Sequence, residues 1–220
     1  MLTVSHDPAV VESQLLSGEL SCPRCGGVLT PWSYGSRRII RYGTPAENQR
    51  VTPRRARCRD CATTQILLPV QLAARRADET SVIAQAVELN VASGWGHRKI
   101  AEKLGRPLST VRDWIRDFRA NAPAIATDFA TRVHRATATA LGFWPAPGPT
   151  VAADALAMLI AHAQVLAHHH QPASSKTSDV STVVIVTWHQ AALLAMGPSL
   201  FSRVGWPKAV QHQPALPPDG

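Results

Sequence analysis

The sequence predicts a mainly α-helical chain with a small β ribbon near its N-terminus, held by four cysteines. A three-helix helix-turn-helix domain follows, and Ala-rich helices follow that. Three observations predict this class. Two identical Cys-x2-Cys pairs, Cys22–Cys25 and Cys58–Cys61, stand 32 residues apart. From Asp78 onward, apolar residues recur at helical spacing with a Gly-Arg-Pro break at Gly105 to Pro107. The excess positive charge is confined to the stretch that holds both features.

Of the 220 residues, positions 1–21 carry three acids and no Lys or Arg, a net of −3. Positions 22–119 carry 18 basic and 8 acidic residues, a net of +10, and positions 120–220 a net of +1. With a sequence pI near 10.0, such a localised excess implies a polyanionic partner, nucleic acid before an anionic membrane. The length excludes a large multidomain enzyme. The organisation expected is an N-terminal extension over 1–21, a four-cysteine zinc ribbon over 22–72, the helix-turn-helix over 76–120, an Ala-rich helical region over 121–205 and a disordered tail over 206–220.

Four thiolates satisfy tetrahedral zinc, and each Cys-x2-Cys brings two sulfurs to one ion from a tight turn. Cys22, Cys25, Cys58 and Cys61 are therefore the metal ligands expected, with one Zn(II) per chain. Four thiolates close the coordination shell, so the metal would be structural and not catalytic. Two disulfides are the competing reading, and one that a cytoplasmic chain would not keep. Short β-prone runs at Val28 to Tyr34, Arg38 to Tyr42 and Thr63 to Leu68 suggest a three-stranded ribbon. Arg54, Arg55, Arg57 and Arg59 crowd the second pair, with Arg37, Arg38 and Arg41 ahead of them, and are expected to meet phosphates.

In the helical part, Asp78 and Glu79 stand at a helix start and Val82, Ile83, Ala86, Val87 and Leu89 form its apolar stripe. A second helix would bury Ile100 and Leu104, with the small Ala101 where a third helix crosses. Gly105 suits a left-handed turn, Ser109 is the expected N-cap after Pro107, and Val111, Trp114 and Ile115 form the third stripe. The opposite face keeps Thr110, Arg112, Asp113 and Arg116. In a helix-turn-helix, residues near the start of the third helix reach base edges, so Arg112 and Arg116 would read guanine, and Ser109, Thr110 and Asp113 would lie beside them. His97, Arg98, Lys99 and Arg106 would contact phosphates.

These residues carry a resemblance. Cys22-Pro-x-Cys-Gly, the Arg-rich approach to Cys58-x2-Cys61, and Gly94-x-Gly-His-Arg-x-Ile-Ala-x-x-Leu-Gly-Arg-Pro-x-Ser-Thr-Val-x-x-Trp114 look like the zinc-ribbon and helix-turn-helix N-terminal part of bacterial transposases. They are more closely similar to short helix-turn-helix proteins of high-GC bacteria built the same way. The resemblance covers Cys22 to Phe118 and implies site-specific binding of double-stranded DNA, as a transposase accessory or a transcription regulator. A separate catalytic transposase chain would then be a partner. Use of the ribbon as an RNA or protein adaptor is the alternative.

Catalysis by this chain is not expected, and no catalytic residue is assigned. Strand transfer needs three converging carboxylates, yet after Glu102 there is no glutamate and only Asp113, Asp117, Asp128, Asp154, Asp179 and Asp219 remain. Ala124 to Ala140 and Val151 to His168 read as helices separated by the stiff Trp144-Pro-Ala-Pro-Gly-Pro149. They would pack on the first three helices or on a second copy, giving a homodimer. His162 with His168, His169 and His170 reads as a polar helix end. Gln171 to Ser181 reads as a linker, Thr182 to Phe201 as a buried strand and helix in place of a membrane span, and Gln211 to Gly220 as disordered. The first residues lack a signal-peptide pattern, so a cytoplasmic, nucleoid-associated bacterial protein is expected, away from the membrane.

Overall fold

The computed structural model describes residues 1–137, 140–169 and 187–201. The linker, the tail, His170 and the strand expected after Thr182 lie outside the described residues.

The first half of the chain is β-rich. Strand β1 (Leu2–Val4) leads to helix α1 (Pro8–Ser17), followed by β2 (Leu29–Tyr34), β3 (Arg38–Tyr42), β4 (Glu47–Val51), β5 (Arg54–Cys58) and β6 (Thr64–Pro69). Four strands form one sheet in the order β1-β6-β5-β2, with β1 parallel to β6 and the other pairs antiparallel. Strands β3 and β4 form a separate antiparallel hairpin. The sheet therefore exceeds the three strands expected. The arginine run Arg54–Cys58 hides a strand because its alternation is carried by small residues. Ala56 and Cys58 are buried, while Arg55 is half-buried and Arg57 exposed.

Residues 1–21 fold as part of the β-rich half. Asp7 caps α1 by accepting from the Ala9 N–H at 2.8 Å, and Pro8 follows at the first helical position, where its missing N–H costs nothing. Val11 and Leu15, four residues apart, and Val4 on β1 pack against Cys22, Leu29, Ala56, Cys58 and Leu67. A sheet of such short strands needs an apolar lid, and the N-terminus supplies it.

The second half is helical: α2 (Thr80–Val91), α3 (His97–Leu104), α4 (Leu108–Ala136), a short 3-10 turn (Ala140–Phe143), α5 (Val151–His169) and α6 (Trp188–Met196). α4 is one helix of 29 residues where two were expected. Pro123 does not end it, because the buried stripe of Phe118, Ala122, Ile125, Phe129 and Val133 continues across the proline at spacings of three and four. A single proline removes one helical hydrogen bond, and that loss is outweighed by burying the stripe. Helix α5 is long and apolar enough to cross a membrane by length and composition, with half of its apolar window buried. Its buried side chains join the core shared by α2, α4 and α6.

Candidate nucleic-acid interface and metal centre

The four cysteines converge. All four Sγ atoms lie within 4.8 Å of one another, with Cys22 to Cys61 at 3.8 Å and Cys25 to Cys58 at 3.5 Å. Four sulfurs bound at 2.3 Å around a tetrahedral ion stand about 3.8 Å apart, so the spacing is that of a metal-binding shell. It is far too long for disulfide bonds of about 2.05 Å. Two tight turns make the shell. At the first, Gly26 takes φ of 78° and donates to the Cys22 carbonyl at 2.8 Å. At the second, Ala62 takes φ of 58° and Cys58 donates to the Thr63 carbonyl at 3.0 Å. Gly27 lets the turns meet, since a Cβ there would lie 2.1 Å from the Asp60 carboxylate.

Proton affinity divides across the cluster. The hydroxyl and N–H of Thr63, with Cys25 beside them, pull Cys61 down to about 6. At Cys25 the Gly27 N–H favours the thiolate, but the sulfurs of Cys61, Cys58 and Cys22 together push it up to about 12. Four thiols this close share protons, and ionising all of them requires a cation among them. The cluster can hold a metal ion.

The helical interface is built from α2, α3 and α4. Ile100, Leu104, Val111, Trp114, Ile115 and Phe118 are buried together. Gly105 turns the chain at φ of 59°. Ser109 does not cap α4. Pro107 stands at the cap position with no side-chain bond, and the helix already begins at Leu108. This places Ser109 in the exposed first turn. Arg112 and Arg116 are exposed, and Thr110 and Asp113 are half-buried beside them. The Asp113 carboxylate accepts from Arg116 at 2.8 Å, which orients that guanidinium along the helix surface. On α3, Arg98 is exposed, and the Lys99 ammonium sits 3.8 Å above the Trp95 ring.

Four arginines expected at phosphates, Arg38, Arg41, Arg54 and Arg106, are engaged elsewhere: Arg38 donates to the Arg76 carbonyl and Arg41 to the Asp78 carboxylate. The Arg106 side chain is fully buried: it donates to Asp78 at 2.6 Å, to the carbonyl of Leu104 at 2.8 Å and to that of Gly43 at 2.9 Å. A guanidinium sealed this way is a structural tie and cannot reach DNA. Arg54 is paired with Glu12 of α1, donates to the Ser33 carbonyl and lies over the Tyr34 ring. Arg55 is half-buried, whereas Arg57, stacked 4.8 Å over the Trp32 ring, and Arg59 face solvent. Nothing in the sequence separates the buried Arg106 from its exposed neighbours. The partner that buries it, Asp78, reads there as an ordinary helix-start acid.

A family model described as a homeodomain-like domain matches residues 79–125, which is α2, α3, the turn between α3 and α4, and α4 as far as Ile125. No curated protein and no solved structure matches the chain. The chain thus contains a homeodomain-like helix-turn-helix, a module that points to DNA binding, beside a four-cysteine cluster able to hold a metal.

Proposed function

We propose that this chain is a non-catalytic, sequence-specific double-stranded DNA-binding protein of transposase-accessory or transcription-regulator type. Its four cysteines hold one structural zinc ion, and it works on the nucleoid. The observation that carries the reading is the outward face of α4. Ser109, Arg112 and Arg116 stand in water opposite a stripe that buries Val111, Trp114, Ile115 and Phe118, within the segment that matches a homeodomain-like domain. In such a helix the exposed arginines are placed to enter the major groove, where each can donate to guanine O6 and N7 as a bidentate pair. The donor set supports zinc, because four soft thiolates at tetrahedral spacing suit it better than hard cations. The lack of glutamate after Glu102 supports a binding role over strand-transfer chemistry.

The test is selection of a duplex site from random DNA, followed by titration with variants of the full chain. Arg112→Ala with Arg116→Ala should lower affinity for the selected site at least tenfold, at about 1–3 kcal/mol per bidentate contact. Arg57→Ala with Arg59→Ala should weaken binding to all sequences alike and reduce the salt slope by about 2. Unchanged affinity in the first pair, with the fold intact by circular dichroism, would remove α4 as the reading helix.

A further inference from the structure

The β3–β4 hairpin belongs to neither the four-stranded sheet nor the helical core, yet it is tied to the helix-turn-helix by backbone and side-chain hydrogen bonds. Its backbone runs alongside the residues that precede α2: the Arg41 N–H donates to the Ala77 carbonyl at 2.8 Å, and the Arg41 carbonyl accepts from Glu79 at 3.1 Å. The Arg41 guanidinium grips Asp78 through two bonds of 2.9 and 2.6 Å. Asp78, 2% exposed, holds Arg106 as well, and Arg106 reaches back to the carbonyl of Gly43 in the hairpin turn. Arg38 closes the other end by donating to the Arg76 carbonyl at 2.7 Å. Arg106 is two residues ahead of Leu108, so one buried side chain fixes the hairpin turn to the start of α4.

What the hairpin shows to solvent is distinctive. The register pairs Ile39 with Arg50 and Arg41 with Asn48, so these four side chains share one face of the ribbon. It is the face whose Arg41 meets Asp78. Ile40, on the opposite face, is buried and pins the hairpin down. Glu47, Asn48, Gln49 and Arg50 are all exposed, and Ile39 is 60% exposed. A hairpin serving only to brace Asp78 has no use for an exposed isoleucine beside an asparagine and an arginine. Those side chains match base edges: Arg pairs with guanine, Asn with adenine, and a branched apolar group with the thymine methyl. A two-stranded ribbon also fits the width of the major groove.

We infer that the β3–β4 hairpin is a second duplex-reading element, in which Ile39, Asn48 and Arg50 contact DNA beside the site held by α4. This rests on duplex binding through α4. Because the Arg41–Asp78–Arg106 tie holds the hairpin in place before DNA arrives, its contacts form without the cost of ordering a loop.

The test uses the full chain with metal content checked, the selected duplex and a hydroxyl-radical footprint. Asn48→Ala with Arg50→Ala should weaken binding about tenfold, relax base preference at one end of the site and shorten the footprint there, leaving the preference set by Arg112 and Arg116 intact. Asn48→Asp alone, at an exposed position, should produce the same loss at that end. Unchanged affinity, preference and footprint in both variants, while Arg112→Ala with Arg116→Ala loses binding, would overturn the hairpin's role and keep that of α4. A wild-type chain that selects no duplex would overturn both.

Discussion

The cysteine module buries Val4, Val11, Leu15, Leu29, Ala56 and Leu67 together with Cys22 and Cys58, whereas the helical body buries a continuous core that runs from Val70 to Phe201. Six apolar side chains and two cysteines are a small core for some seventy residues. A metal held by the four cysteines would add folding free energy on the order of 10 kcal/mol. The helical body needs no such help, because its long α4 and α5 present matching apolar stripes. The two halves should therefore respond to different perturbations, and the Asp78 tie between them to both.

The largest effect expected is metal removal. Chelation, or Cys25→Ser, should abolish order in the cysteine module at a cost on the order of 10 kcal/mol while α2 to α6 keep their protection, as read by hydrogen exchange. Equal loss of protection in both halves would mean that they fold as one unit. Next comes the tie. Asp78→Asn leaves the buried Arg106 and the half-buried Arg41 without their carboxylate, and should cost about 3–5 kcal/mol in urea unfolding. The loss should be shared between the halves, since Arg41 belongs to one and Arg106 to the other. A loss confined to α2 to α4 would show that the hairpin contributes nothing to the joint.

The smallest effect concerns pH and belongs to the helical body alone. Burial holds His189 down at about 4, against about 6.5 in an unfolded chain. A depressed histidine contributes stability above pH 6.5 and loses it as pH falls toward 4, a decline of roughly 3 kcal/mol. His162 shifts the same way, through burial first and Arg132 second. The unfolding midpoint of the helical body should therefore drop across that window, and His189→Gln should flatten the drop. An equally steep profile in the variant would assign the dependence elsewhere.

Much of this arrangement was legible in the residues. The cysteine spacing located the four-sulfur cluster, and the apolar period of Val82 to Val87 and of Val111 to Phe118 located two helices of the helix-turn-helix, because both signals are local. What was not legible depends on distant partners. Val11 and Leu15 look like an ordinary amphipathic start until the sheet they cover is known. Ala124 reads as the start of a separate helix until the stripe on both sides of Pro123 is known to be buried, its later part against α5. Arg54 and Arg106 carry the same side chain as Arg57 and Arg112, and only Glu12 and Asp78, each far away in sequence, distinguish a tie from a contact.

Helix α4 begins with the exposed Ser109, Arg112 and Arg116 and ends where Val133 packs with Ala161 and Val165 of α5. From Arg112 to Val133 the helix runs about 32 Å at 1.5 Å per residue. Such a rod is a lever. Tilting it by about 5° at Val133 sweeps Arg112 through about 3 Å, close to one base-pair step. Under the proposed duplex binding, displacement of the C-terminal helices is expected to shift the register of these side chains along the duplex.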